Sequence, residues 1–273
     1  MSELVTEPVA ARRPQPKPDG RDQGYRDLLS YIVSNAVAGE IMAIENYSDM
    51  VALMPDTASK IEAIDQAAEE TRHIQMLDNL GKNLGFPVAK RIVEPPWLEI
   101  RRQFRRAVDR GDLAACLIMQ DLMTETMAIM LYKTLSSEAE TDERTSRIAE
   151  TILADELAHL EIGIARVSAL LAKDRDKVQE SLVWAHHRVM PELLGMISTS
   201  CDSLCDVLGV DCGSLRISSL QTDLDTLRAR ALDQYVGTLD AVGFDVEVTN
   251  RLLATLASFD PDKGQATEGS CCS

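Results

Sequence analysis

Between about residue 24 and residue 259, apolar residues recur at the three- and four-residue spacing of one helical face, interrupted by short polar or proline-bearing gaps. Strand-like alternation is nearly absent, and the pattern predicts an all-α chain. The spans are residues 24–53, 58–84, 96–110, 112–135, 142–171, 175–208, 215–242 and 247–259. The third is expected to be a short connector after Pro95-Pro96, crossing between two hairpins, with the last three helices wrapping a bundle. Residues 1–23 carry Pro8, Pro14, Pro16 and Pro18 among charges and have no apolar periodicity, so they are expected to form a flexible arm. Residues 260–273 read as a similar tail, leaving one helical domain over 24–259.

Composition narrows the reading. A chain of 273 residues can bury a substantial core, and only 4% of it is aromatic, which agrees with a helix-rich fold. The net charge of −16 disfavours nucleic acid as a partner, because no basic stripe offsets it. The one basic cluster, Arg101-Arg102-Gln103-Phe104-Arg105-Arg106, reads as a solvated helix face or a docking spot for an acidic partner such as a reductase. No apolar leader opens the chain and no uncharged apolar run approaches the ~18 residues that span a bilayer, so no membrane association and a cytoplasmic location are expected. Six cysteines show no metal-ligand spacing, and a reduced state is expected. The terminal pair Cys271-Cys272 could shuttle reducing equivalents, but an idle tail is the simpler reading. His186-His187 lack acidic neighbours at ligand spacing and read as surface residues.

The chemistry lies in a duplication. Glu70-Thr71-Arg72-His73 and Glu156-Leu157-Ala158-His159 are two Glu-x-x-His motifs, each preceded by a single glutamate, Glu40 and Glu125, at 30 and 31 residues. Two antiparallel helices joined by a short turn return to the same height after equal runs. The midpoint of the first pair is Pro55, inside Met54-Pro55-Asp56-Thr57, a helix stop followed by a cap. The midpoint of the second falls in Ser136-Ser137-Glu138-Ala139-Glu140-Thr141-Asp142-Glu143, a polar loop. Each half is therefore a helical hairpin with its ligand positions level, and two hairpins make a four-helix bundle with six ligands at one depth.

Glu and His at i and i+3 share a helix face, so one helix can offer a carboxylate oxygen and an imidazole nitrogen to the same cavity. Four carboxylates (Glu40, Glu70, Glu125, Glu156) with two imidazoles (His73, His159) suit two iron ions cycling between Fe2+ and Fe3+, with manganese possible, better than zinc. Glu69 and Asp155 directly precede the two motifs, and each could orient the histidine of the opposite motif.

With Gln120 five residues before Glu125 and Tyr132 seven after it, this ligand pattern resembles the ferritin-like non-haem di-iron oxygenases, and most closely the aldehyde-deformylating oxygenases. The likeness runs over roughly residues 25–245 and includes Gly39-Glu40, Glu45-Asn46-Tyr47, Leu53-Met54-Pro55-Asp56, Gly81-Lys82-Asn83-Leu84, Cys116-Leu117-Ile118-Met119-Gln120 and Asp155-Glu156-Leu157-Ala158-His159-Leu160. The resemblance implies a ferritin-like four-helix bundle with additional wrapping helices, iron ligands at the six residues above, O2 as co-substrate, external electrons from a ferredoxin or reductase, and a channel along the bundle. It makes Tyr47, Gln120 and Tyr132 candidates to hydrogen-bond the oxidant or the substrate, or else core residues with satisfied polar ends.

Three departures bear on substrate. The family's cysteine is Leu80 here, its aromatic channel residues are largely replaced with Trp97 the only one nearby, and Asp121 stands where a small residue is usual. An acid one turn before Glu125 would favour an amine or other cation; the alternative is a solvent-facing or outer aspartate. The expectation is N-oxygenation of a small amine, hydroxylamine or hydrazine in a natural-product pathway. The alternatives are fatty-aldehyde deformylation to alkane and formate, and, from a different class, iron storage or a structural bundle.

Overall fold

The computed structural model describes residues 23–88, 90–137, 141–198 and 218–257, and those residues are helical with short turns. The expected arm lies outside them apart from Gln23, as do the tail, its cysteine pair, and Cys201, Cys205 and Cys212. The first hairpin joins α1 (Gln23–Met50) to α2 (Thr57–Leu84) through a 3-10 turn, Val51–Leu53. Asp56 caps α2 by accepting from Ser59 N at 2.8 Å, and Gly85 ends it with φ 78°, a left-handed conformation that suits glycine.

Helix α3 (Lys90–Asp109) differs from expectation: it begins before Pro95-Pro96 and contains both. Each proline removes a backbone donor, but the helix is held by tertiary packing, with Val93 buried and the Trp97 ring packed against Gly39 on α1. It lies along α1 instead of merely bridging the hairpins.

The second hairpin is formed by α4 (Leu113–Leu117), a π-helical segment Ile118–Thr124 and α5 (Glu125–Ser137), which run on without a break, and then α6 (Glu143–Lys173). Asp142 caps α6 through Arg144 N and Thr145 N, both 3.0 Å away, and also accepts from the Tyr25 hydroxyl at 2.7 Å, which ties the start of α1 to this turn. Helices α7 (Arg175–Ser198), α8 (Ser218–Val242) and α9 (Val246–Ala257) wrap one side.

Two stretches, Tyr25–Leu53 and Leu113–Ser137, are long and apolar enough to cross a membrane by length and mean hydropathy, although charged residues interrupt both and neither is an uncharged run of that length. Their windows are 67% and 83% buried inside the bundle, so core packing accounts for their apolarity. His186 also departs from expectation: it is fully buried, with Nδ1 3.0 Å from the Tyr235 hydroxyl and Nε2 3.1 Å from the Leu252 carbonyl. Burial, with His187 beside it, lowers its pKa to about 4, so it packs as a neutral core residue joining α7, α8 and α9.

Candidate metal centre

The four bundle helices bring all six sequence-predicted ligands together. Donor atoms of Glu40, Glu70, His73 and Glu156 lie within 4.8 Å of one another, as do those of Glu70, Glu125, Glu156 and His159. The two groups share Glu70 and Glu156, so the cluster divides into two adjoining sites with two common carboxylates. All six side chains are buried.

Both imidazoles present Nδ1 inward: His73 Nδ1 is 3.0 Å from Glu70 Oε2, and His159 Nδ1 is 3.3 Å from Glu70 Oε1. Their outward nitrogens are taken by the acids that precede the opposite motif. His73 Nε2 sits 3.1 Å from Asp155 Oδ2 and His159 Nε2 sits 2.7 Å from Glu69 Oε2. A proton held on each Nε2 by a carboxylate leaves the Nδ1 lone pair for a cation.

The tyrosines follow the same reciprocity. Tyr132, seven residues after Glu125, donates to Glu40 Oε1 at 2.6 Å, while Tyr47, seven after Glu40, donates to Glu125 Oε1 at 3.1 Å. Gln120 adds a second donor to Glu125 Oε1 at 3.0 Å. These three polar ends therefore rest on cluster carboxylates rather than facing an open cavity. Burial, and then the nearby carboxylates, push both tyrosine pKa values up, which keeps the hydroxyls protonated as donors.

Burial, followed by repulsion from neighbouring carboxylates, raises Glu40 and Glu125 well above the ordinary carboxyl range. Glu156 is held down despite its burial because Glu125, His159 and His73 crowd around it and favour its charged form. Burial opposes charge on His159, but the close Glu156 and Glu70 carboxylates outweigh it and carry the imidazole up to about 12; His73 is raised for the same reason by Glu156, Glu40 and Glu70. Without cations, then, this anionic box is balanced by protons, and cations would replace them.

The donor set fits two divalent metal ions. Glu70 Oε1, both Glu156 oxygens and His159 Nδ1 are buried without hydrogen-bond partners among the described residues, an arrangement that is costly unless a cation completes it. Mixed oxygen and imidazole donors with shared carboxylates match iron or manganese.

Asp121 neither faces solvent nor stands free for a cationic substrate, and takes the outer position of the alternative reading. It is fully buried, and its Oδ2 accepts from Arg166 Nη1 on α6 at 3.1 Å. Its pKa is raised to about 6, because burial outweighs the Arg166 charge. The π-helical segment explains that position. In an i to i+5 turn, residue 120 rather than 121 stacks beneath Glu125, as the Gln120 contact shows. Asp121 is thereby turned toward α6, where a Cβ on Gly163 would collide with the Asp121 side chain.

Sequence reasoning missed four residues that touch this site. Gln66 Nε2 donates to the Tyr47 hydroxyl at 3.2 Å, Arg166 Nη1 donates to Gln66 Oε1 at 3.0 Å, Asn46 Nδ2 donates to Gln120 Oε1 at 2.8 Å, and Arg101 Nη1 donates to Asn46 Oδ1 at 3.2 Å. The spacing of Gln66, four residues before Glu70, offered a signal, since i and i+4 share a helix face. Much of the basic cluster on α3 is engaged at home: Arg101 also pairs with Glu45 and Asp49, and Arg102 with Glu99.

The family model for long-chain fatty aldehyde decarbonylases matches residues 22–255. The chain belongs to that family. Among solved structures, a Synechococcus protein with aldehyde deformylating oxidase activity superposes with a TM-score of 0.71 at 21% identity, covering 86% of this chain and 98% of that one. An R2-like ligand-binding oxidase with an aerobically reconstituted Mn/Fe cofactor superposes at 0.65 with 15% identity, covering 82% of each chain. These likenesses establish a ferritin-like helical bundle. Together with the family match and the buried cluster, they make the protein an O2-using oxygenase related to the aldehyde-deformylating enzymes.

Proposed function

We propose that the protein uses O2 and externally supplied electrons at a two-metal centre, iron with iron or with manganese, to cleave the carbonyl carbon from an aldehyde as formate. The observation that carries this choice over N-oxygenation is the pairing of Asp121 with Arg166. An aldehyde needs no counter-ion, whereas Asp121, the one of the three departures that called for a cation, already has its own.

When bound, the two metal ions would supply the redox equivalents and the site for O2 that no side chain offers. Glu40, Glu70, His73, Glu125, Glu156 and His159 would hold them. Tyr132, Tyr47 and Gln120 would orient Glu40 and Glu125, while Asp155 and Glu69 would keep each Nδ1 turned inward. Balancing an aldehyde and O2 against formate, water and the shortened hydrocarbon leaves four electrons and three protons to come from outside. A reductase or ferredoxin-type donor is consistent with that requirement, and a cytoplasmic setting would provide one.

The test is incubation of metal-loaded protein with O2, a reducing system and a panel of aldehydes, amines, hydroxylamines and hydrazines, with products read by mass spectrometry. Formate and hydrocarbon in equal amounts from an aldehyde are expected. N-oxygenated products without formate would overturn the substrate assignment and leave the oxygenase assignment standing.

A further inference from the structure

Two hydrogen-bonded chains, each starting at an arginine, converge on one oxygen of the metal cluster. Arg101 donates to Asn46 Oδ1, Asn46 Nδ2 to Gln120 Oε1, and Gln120 Nε2 to Glu125 Oε1, over 3.2, 2.8 and 3.0 Å. Arg166 donates to Gln66 Oε1, Gln66 Nε2 to the Tyr47 oxygen, and the Tyr47 hydroxyl to Glu125 Oε1, over 3.0, 3.2 and 3.1 Å.

The direction of each chain follows from its origin. A guanidinium has only donors, so the amide it meets must present its oxygen, and its NH2 must face the next group. Arg166 therefore sets Gln66, and Gln66 fills an acceptor site on Tyr47, leaving the phenol proton for Glu125. Arg101 sets Asn46 and hence Gln120 in the same sense. Both arginines are anchored at the other end, Arg101 by Glu45 and Asp49 and Arg166 by Asp121 and Glu62. Each side chain is about 15% exposed or less.

Nothing comparable restrains the other carboxylates. Glu40 Oε1 has the Tyr132 hydroxyl and Glu70 Oε2 has only His73 Nδ1, itself a candidate ligand, at 3.0 Å, whereas Glu70 Oε1 and both Glu156 oxygens have no hydrogen-bond partner among the described residues. We infer that Arg101 and Arg166 are remote positioning residues that lock Glu125 through Oε1, so that it serves one metal ion as a fixed ligand while Glu70 and Glu156 are the carboxylates free to change ligation. This rests on the two-metal reading and adds to it which carboxylate is static, and why.

The probe is Co2+ alone, titrated anaerobically into the metal-free full chain and followed by visible ligand-field absorption, which counts binding events and reports their geometry separately. Gln66→Met cuts one chain while keeping the Arg166–Asp121 pair, and Arg101→Met cuts the other at a partly exposed position where folding should persist. Each variant should weaken one of two Co2+ events by about tenfold and shift its absorption, leaving the other event unchanged, as expected for outer partners of a ligand. Tyr132→Phe, which removes the donor to Glu40, should weaken the other event instead, and combining it with Gln66→Met should weaken both. Two intact events in Gln66→Met and Arg101→Met, or weakening of the same event as in Tyr132→Phe, would overturn the inference while the two-metal reading stands. Failure of the unaltered protein to bind two ions would overturn both.

Discussion

The two hairpins supply the metal centre by the same rule and support it by different means. Glu40 on α1 and Glu125 on α5 each lie opposite a tyrosine seven residues beyond the other, and each histidine is oriented by the acid preceding the opposite motif. The halves are thus related by a pseudo-two-fold that extends through the outer partners. The position five before Glu40 is Asn35, which donates to its own helix at Tyr31 O and accepts from Trp97, and the next residue is Ala36. The position five before Glu125 is Gln120, which reaches the cluster, and the next residue is Asp121 in its ion pair. The seven-residue π-helical segment accompanies this difference. Such segments recur at functional sites, and here it moves one polar residue onto a ligand and another onto the neighbouring helix. Beyond the cluster, the α1 residues one and two turns before Glu40 are the apolar Val37 and Val33, which share a core cluster with Tyr132. Around Glu125 they are a polar network.

The largest predicted effect tests what the halves share. Glu156 belongs to both donor groups, so Glu156→Ala should abolish stoichiometric binding of the second metal ion while the far-ultraviolet helical spectrum persists. Retention of two tightly held ions would deny the shared-carboxylate geometry. Next come the reciprocal acids: Asp155→Ala and Glu69→Ala should each lower metal affinity about 10- to 100-fold, Asp155→Ala at the His73 site and Glu69→Ala at the His159 site. Metal titrations in which both variants weaken the same event would break the pseudo-two-fold.

Asp121 then separates the halves. Arg166→Met would leave a fully buried carboxyl without its cation and should cost about 3 kcal/mol in chemical denaturation, the low end for a broken buried pair because Asp121 can take up a proton. Its pKa of about 6 lies above the unfolded carboxyl value of about 3.9. The stabilisation linked to that shift is therefore complete below the unfolded value and is lost as pH rises through about 6. In metal-free protein, Asp121→Asn should flatten this part of the stability profile between about pH 4 and 7; an unchanged profile would show that Asp121 does not titrate there.

The caps give the smallest contrast. Asp142 is buried and holds two backbone amides, Thr145 Oγ1 and the Tyr25 hydroxyl, and its pKa is lowered: burial opposes ionisation, but those donors outweigh it. Asp142→Ala should cost about 1–2 kcal/mol. Asp56→Ala, at an exposed cap that accepts chiefly from Ser59, should lower the melting temperature by less.

The sequence made the bundle and the cluster readable because both depend on periodicity. Two ligand pairs, spaced 30 and 31 residues about a Pro55 turn and a polar loop, define two level hairpins, and i to i+3 spacing puts Glu and His on one face. What was not readable depends on departures from that period or on long-range packing. The π-helical segment shifts Asp121 by a fraction of a turn, and no residue type in Ile118–Thr124 announces it. The course of α3 through Pro95-Pro96 follows from contacts with α1, which local propensity does not record. His186 looked like one of an exposed pair, because the hydroxyl and carbonyl that satisfy it come from helices 49 and 66 residues away. Arg166 carries no motif, and Arg101 stands in a basic cluster that reads as a solvated face or docking spot; the connection of both to Glu125 depends on amide orientations set by residues on other helices.

The central claim is that six side chains from four helices hold two metal ions through inward-facing Nδ1 nitrogens and shared carboxylates. Anomalous diffraction at the iron and manganese edges from crystals of metal-loaded protein tests it most directly. Two peaks are predicted, one beside His73 with Glu40 and one beside His159 with Glu125, both in contact with Glu70 and Glu156. Absence of metal from the cluster, a single peak, or histidines ligating through Nε2 would contradict it.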